Sequence, residues 1–242
     1  MRTRIAAFVL ALSIGSAVSA HATSIVASGP TGENGGYGVG YSFARDVNLI
    51  IGQAFTMGGT SFIADQVTVW LNDWEGGASN EAFTLQIMDQ VGAGATAANV
   101  LYTAGGTFPD SEGGHLPVSF SGINIALNAG TTYYLVVSSS AGQNPNGVGG
   151  GHGWGTVDGG PGSFIETFAT VGSPYVGIEV GGGLADYNDL NENATGGRTM
   201  FAVDGHLPTS LSEVPEPTTM LLTMSGLAFV VRRRRVRRPS RS

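Results

Sequence analysis

The sequence predicts an all-β domain, a two-sheet antiparallel sandwich of jelly-roll type, placed between an N-terminal signal peptide and a short C-terminal transmembrane helix. Apolar and polar residues alternate with a period of two in short runs, and turn residues separate those runs. Between residues 23 and 213 no strong helical period extends over a useful length. About eight to ten strands are expected, a number typical of β-sandwiches.

The individual strands are assigned from the alternation of apolar side chains. Residues 67–71 and 83–87 show the clearest alternation. Residues 132–137 are apolar or aromatic on both faces, which predicts a central strand. Glycine-rich segments, including GENGGYGVG and NGVGGGHGWG, are assigned to loops. Further strand candidates are residues 50–55, 118–120, 164–168, 175–180 and 200–203.

Acidic and basic residues occupy different parts of the chain. All 18 acidic residues lie between Glu33 and Glu216, whereas Arg45 and Arg198 are the only basic residues between residues 23 and 217. This middle part therefore carries a net charge of −16. This part of the chain lacks the cations that neutralise phosphate groups, which argues against nucleic acid and anionic lipid as partners.

Residues 1–22 have the pattern of a signal peptide. Arg2 and Arg4 precede an apolar run, and Ala20 and Ala22 flank His21 in a small-x-small cleavage pattern. We therefore expect signal peptidase to cleave after Ala22. The mature chain would then begin at Thr23, and the β-sandwich domain is predicted over residues 23–208.

The C-terminal part predicts a linker, a short membrane helix and a cytoplasmic tail. Residues 209–217 form a linker that ends in a Pro-Glu-Pro motif, and no charged residue occurs over residues 218–231. As a helix these 14 residues would span about 21 Å, less than the ~30 Å hydrocarbon core of a bilayer. The arginine-rich residues 232–242 would lie in the cytoplasm and the domain outside. A helix that short is better suited to holding the chain in the membrane transiently than to anchoring it permanently.

This C-terminal pattern resembles the PEP-CTERM sorting signal. The resemblance implies recognition by exosortase, a membrane-embedded transpeptidase, and removal of the tail near the Pro-Glu-Pro motif. It also implies delivery to the cell envelope or extracellular matrix of a Gram-negative bacterium that makes exopolysaccharide or biofilm, after a transient stay in the inner membrane. The residues that carry the resemblance are Val214, Pro215, Glu216, Pro217, Arg232, Arg233, Arg234 and Arg235.

The middle of the chain resembles the choice-of-anchor β-sandwich domains. The segments that carry this resemblance occur in the same order as in those domains. They are residues 52–56, 62–71, 83–89 and 128–137. The resemblance implies a β-sandwich coupled to a surface anchor, and it implies no biochemical activity.

His152 and Trp154 form a candidate ligand platform within a glycine-rich segment. An exposed indole can stack on a sugar ring and an imidazole can bind hydroxyl groups, so this pair could contact exopolysaccharide. The alternative is that Trp154 packs at the edge of the core.

Asp186, Asp189 and Asn191 form a candidate calcium site, because oxygen ligands at alternating positions suit a calcium-binding loop. The EF-hand pattern is not complete, since Ala194 and Met200 replace its glycine and glutamate. The alternative is an ordinary solvated loop without any cofactor.

No motif of the sequence indicates catalysis. The chain has no cysteine, no G-x-S-x-G elbow and no H-E-x-x-H pair. His115 and His206 each precede a Leu-Pro pair, which favours strand ends over metal ligands. The leading interpretation is a non-catalytic protein with a structural or adhesive role. A carbohydrate-binding module is the alternative, and a secreted hydrolase is the third.

Overall fold

A computed structural model describes residues 22–29, 33–42, 47–73, 81–111, 114–139, 152–159, 163–180 and 187–208. The chain divides into two units, Met1–Leu207 and Pro208–Ser242, and every strand of the described residues lies in the first. Most of the predicted signal peptide lies outside the described residues. The same holds for the predicted membrane helix 218–231 and the tail 232–242. Over the described part of the chain, no helix has the length and apolar character needed to cross a bilayer.

The described residues form an all-β fold, as the sequence predicts. Two short 3-10 helices, Ala97–Asn99 and Tyr187–Asp189, accompany the strands. The strands are β1 (Thr23–Ser28), β2 (Glu33–Ser42), β3 (Val47–Met57), β4 (Phe62–Asp73), β5 (Ala82–Met88), β6 (Val100–Thr107), β7 (Leu116–Leu127), β8 (Thr132–Ser138), β9 (His152–Val157), β10 (Phe164–Ile165), β11 (Ala169–Val180), β12 (Asn191–Glu192), β13 (Arg198–Thr199) and β14 (Phe201–His206).

The strands pair in the order β10-β1-β14-β4-β9-β2-β3-β8-β5-β6, and all the paired strands are antiparallel. Three branches leave this path: β7 pairs with β4, β13 with β9, and β11 with β3 and β12. β2 connects the two halves of the order. Its residues up to Val39 pair with β9, and those from Gly40 onward pair with β3. Gly40 has a φ of 88°, a left-handed conformation that glycine adopts without strain.

Both halves of this order contribute side chains to one hydrophobic core. Phe55 of β3 lies 6.0 Å from Phe201 of β14 between ring centroids, and Phe83 of β5 lies 5.9 Å from Phe120 of β7. β8 lies between β3 and β5, which confirms the central strand predicted over residues 132–137. β4 and β5 likewise confirm the strands predicted over residues 67–71 and 83–87, whereas β1, whose Ile25 and Val26 are fully buried, was not predicted.

Gln53 is a buried polar residue that links three strands. Its amide nitrogen donates to the carbonyl oxygen of Gly172 in β11 at 2.9 Å, and its amide oxygen accepts from the backbone nitrogen of Thr199 in β13 at 2.8 Å. The side chain is fully buried and has lost its hydrogen bonds to water, and these two bonds compensate for that loss. Gln53 therefore fixes β11 and β13 against β3.

The prediction that the two named glycine-rich segments are loops is wrong in part, because β2 and β9 are strands within them. These strands contain glycine because the ring of His115 lies against both of them. A Cβ atom on Gly36 would come within 2.8 Å of Nε2 of His115, and one on Gly155 within 2.8 Å of its Cγ. Glycine at these positions makes room for the imidazole.

Candidate functional site

The platform predicted at His152 and Trp154 is not formed. Both residues lie in β9, and Trp154 has 0% of its surface exposed. Its indole nitrogen donates to the carbonyl oxygen of Met200 at 2.8 Å. An indole without exposed surface cannot stack on a sugar, so the alternative of core packing is the correct one. Trp154 is buried because glycines alternate with His152 and Trp154 in β9. Side chains of neighbouring strands can therefore approach β9 and cover the indole.

His152 instead belongs to a buried cluster with two carboxylates. Nε2 of His152 contacts the carboxylate of Glu81, Nδ1 lies 3.6 Å from Oδ1 of Asp73, and Phe108 stacks on the ring at 4.2 Å between centroids. Asp73 and His152 each have 1% of the side chain exposed, and Glu81 has 27%. Each ring nitrogen of His152 thus faces a carboxylate, with the shorter of the two contacts to Glu81. This cluster lies where β4 ends, where β9 begins and directly before β5.

The other two described histidines also contact carboxylates. Nδ1 of His115 contacts the carboxylate of Glu33, and Nδ1 of His206 lies 2.7 Å from a carboxylate oxygen of Asp65. His115 directly precedes β7 and His206 ends β14, as expected for residues at strand ends. The contact of His206 with Asp65 joins the paired strands β14 and β4, whereas the contact of His115 with Glu33 joins the start of β7 to β2, with which β7 does not pair.

A partly exposed group of tyrosines lies on the side of β8 and β11 that faces away from the main core. We call Tyr134, Tyr175, Tyr187 and Gln86 the tyrosine face. The rings of Tyr134 and Tyr175 meet edge to face at 5.1 Å, and the amide of Gln86 donates to the hydroxyl of Tyr187 at 3.1 Å. Leu190 is buried beneath these residues in a second, smaller hydrophobic cluster. Polar groups and aromatic rings are thus combined on one surface.

The hydroxyl of Tyr175 is held in its neutral form. Burial, followed by its contact with Tyr134 and the negative charge of Glu192, raises the pKa of Tyr175 to about 12. A neutral phenol can donate a hydrogen bond as well as accept one. The tyrosine face therefore keeps its donor capacity throughout the physiological pH range. The sequence alone does not reveal this face, because its residues are far apart along the chain.

The predicted calcium site is described only in part. Asp189 and Asn191 are exposed, and the amide nitrogen of Asn191 donates to the carbonyl oxygen of Asp189 at 2.8 Å. Asp186 lies outside the described residues. Among the residues that the structure places, no group of three acidic or histidine side chains could hold a metal ion. The calcium site stays a prediction.

The decisive comparison concerns the C-terminal segment, whose structure lies outside the described residues. Residues 213–235 match the family model of the PEP-CTERM protein-sorting motif. The chain carries this sorting motif. The matched range spans Val214, the Pro-Glu-Pro motif of residues 215–217 and the four arginines of residues 232–235, and it confirms the resemblance to this sorting signal. No curated protein matches the chain.

A PEP-CTERM motif is recognised by exosortase. The chain is therefore an exported protein that is sorted to the cell envelope or to the exterior, with a C-terminal anchor. The resemblance of the middle part to choice-of-anchor domains stays a prediction. Two kinds of site thus occur in the chain: a sorting motif defined by sequence, and a tyrosine face defined by structure.

Proposed function

We propose that the chain is a non-catalytic surface or extracellular-matrix protein of a Gram-negative bacterium, with a structural or adhesive role in exopolysaccharide or biofilm. The observation that carries this proposal is the PEP-CTERM motif at residues 213–235, which follows an all-β unit in the same chain. Exosortase delivery gives the β-domain an extracellular destination. The net charge of −16 in the middle part keeps the domain away from anionic surfaces by repulsion.

The proposed export route uses both ends of the chain. Signal peptidase removes residues 1–22, and residues 218–231 hold the chain in the inner membrane with the tail 232–242 in the cytoplasm until exosortase acts. The first strand begins at Thr23, the residue after the proposed cleavage site, so all described strands belong to the proposed mature chain.

We further propose that the β-domain is a two-sheet sandwich of jelly-roll type. The ring contact of Phe55 with Phe201 supports this arrangement, because it joins strands that are distant in the pairing order. The path of β2 also supports it, since a strand that leaves one sheet and joins another is typical of sandwich corners.

The absence of catalysis is part of the same proposal. The buried cluster of His152, Asp73 and Glu81 supports it, because two of its three ionisable side chains are shielded from any substrate. A general base must come within hydrogen-bond reach of its substrate. The cluster of His152, Asp73 and Glu81 therefore serves to hold strands together and not to act on a substrate.

The intact mass of the protein from its native cells tests the export route. We expect a species that starts at Thr23 and ends near Pro217, found in the envelope or medium. A species that retains residue 242 after export would contradict processing by exosortase.

The structural role is tested separately with cells that lack the protein. We expect weaker cohesion of their biofilm and restoration by the wild-type gene. Unchanged cohesion, with the processed protein present in the wild-type matrix, would contradict a structural or adhesive role.

The second candidate function is carbohydrate binding, and the tyrosine face is the observation that favours it. Aromatic rings can stack on the apolar side of a sugar, and the amide of Gln86 could bind a hydroxyl group. A glycan array would compare the wild type with Tyr175→Ala and with Ser121→Ala, a change at an exposed position of β7, which pairs with β4 and with none of the strands that carry the face. Binding that only Tyr175→Ala weakens supports this function. The absence of binding to any glycan excludes it.

A further inference from the structure

The first residues of β1 lie beside a partly buried carboxylate of β14. Thr23 is opposite Gly205 in the strand register, and Ser24 is opposite Asp204. Burial raises the pKa of Asp204 above its ordinary value, and a hydrogen bond from the side chain of Ser24 counteracts part of this effect. The charged form of Asp204 is therefore disfavoured by burial, and its hydrogen-bond partner, Ser24, is uncharged.

Removal of residues 1–22 would place a new charge at this position. Before cleavage, the nitrogen of Thr23 belongs to a neutral peptide bond. Hydrolysis of the bond between Ala22 and Thr23 adds water, leaving a carboxyl group on Ala22 and an amine on Thr23. A terminal amine has a pKa of about 7.7–8.0, so it is mostly protonated at neutral pH. Thr23 is exposed, so the new ammonium group has room to form there.

We propose that the α-ammonium group of Thr23 pairs with the carboxylate of Asp204 in the processed chain, so that removal of the signal peptide stabilises the β1–β14 junction. The inference rests on the proposed cleavage after Ala22. The neighbouring ionisable groups of β4 and β14, Asp65 and His206, already contact each other at 2.7 Å. Gln66, which is opposite Asp204 on β4, is neutral. Asp204 is thus a nearby carboxylate whose partner in the precursor, Ser24, is neutral. The new ammonium group is therefore expected to pair with Asp204.

The composition of the chain makes a selective test feasible. The sequence contains no lysine, so the terminal amine is the only amine of the processed protein. Acetylation removes its charge, whereas reductive dimethylation keeps the charge and serves as the matched control. Both reactions would be performed on the full chain after removal of the signal peptide, with intact mass confirming one modification at Thr23.

We expect acetylation to raise the pKa of Asp204, measured by NMR of its carboxyl carbon, and to lower the Tm by ~1–3 °C near neutral pH. Dimethylation should change neither quantity. A raised carboxyl pKa in the folded state means that stability is lost as pH rises through that pKa. The Tm difference between acetylated and unmodified protein should therefore appear as Asp204 ionises and should disappear above about pH 9, where the amine is neutral.

Asp204→Asn provides the second arm, because it keeps the size of the side chain and removes its charge. Acetylation should have no effect on the Tm of this variant. If acetylation lowers the Tm equally in both proteins, or leaves the pKa of Asp204 unchanged in the wild type, the inference is wrong although the export route stands. A mature chain that starts at a residue other than Thr23 would overturn both.

Discussion

At the scale of single residues, glycine determines where buried rings can lie in this fold. Gly36 and Gly155 leave room for His115, and a Cβ atom on Gly106 would lie 2.6 Å from Cζ of Phe83. These glycines occupy strands, where the residue is usually unfavourable because it loses entropy on folding and packs no side chain. The close approach of a ring explains their presence better than a need for loop flexibility does.

Gly155→Ala should destabilise the domain by ~1–3 kcal/mol, because the new methyl group would overlap with His115 and Met200. Gly105→Ala is the matched control: it also lies in a strand, but the nearest atom to its new Cβ is 4.0 Å away. This control should be neutral or slightly stabilising, since alanine has less freedom in the unfolded chain. Urea unfolding measures both changes. Equal effects of the two substitutions would contradict a specific role of the His115 ring.

Tyr175 should titrate well above an ordinary tyrosine, because its pKa is raised to about 12 by burial and by Tyr134. Absorbance at alkaline pH, compared between the wild type and Tyr175→Phe, would isolate this transition. An unfolded tyrosine ionises at about pH 10. The wild type should therefore lose stability between about pH 10 and pH 12, and Tyr175→Phe should lose less. A Tyr175 transition near pH 10 would show that burial of its hydroxyl is unimportant.

At the scale of secondary-structure elements, the sequence predicted several strands with apolar side chains but missed the glycine-rich β2 and β9 and also the short β1. β4, β5 and β8 follow from the pattern of their residues, as does the central position of β8. β9 does not, because the Gly-His-Gly-Trp-Gly segment has no continuous apolar face until rings from other strands cover it. Local sequence cannot show contacts that only folding creates.

The tyrosine face illustrates the same limit for a candidate site. Tyr134 lies in β8, Tyr175 in β11 and Tyr187 in a 3-10 helix, so their proximity depends on strand order. Trp154 is a sequence candidate because of its glycine-rich surroundings, and the same glycines allow other side chains to bury it. The sorting motif was predictable because it is contiguous and is read as a linear signal.

We expect the arrangement of β3, β11 and β13 to depend on the hydrogen bonds of the Gln53 side chain. Gln53→Met keeps a similar volume but leaves the carbonyl of Gly172 and the amide of Thr199 without this partner. We expect a loss of ~2–4 kcal/mol in the free energy of unfolding. Gln86→Met, which removes one bond to Tyr187 on a partly exposed surface, is the control and should cost less than ~1 kcal/mol. Similar losses in urea unfolding would mean that burial of the Gln53 amide contributes little.

At the scale of the whole molecule, the chain combines a folded unit with a segment that specifies its destination. The unit Met1–Leu207 contains all the described strands, and the sorting match begins at residue 213. Charge follows the same division, since seven of the 11 basic residues lie within residues 232–242. A change in the sorting segment should therefore affect location and leave the stability of the β-domain unchanged.

The double substitution Pro215→Ala and Pro217→Ala tests this separation. It alters the motif at its centre, so we expect the chain to retain its tail and to remain in the membrane fraction. Ser210→Ala with Ser212→Ala changes two residues of the neighbouring linker and should be processed as the wild type is. Intact mass and cell fractionation measure the outcome. Hydrogen exchange of β1 and β14 should be equal in both variants, because neither change touches a described strand. Wild-type processing of the double proline variant would show that exosortase does not require the two prolines.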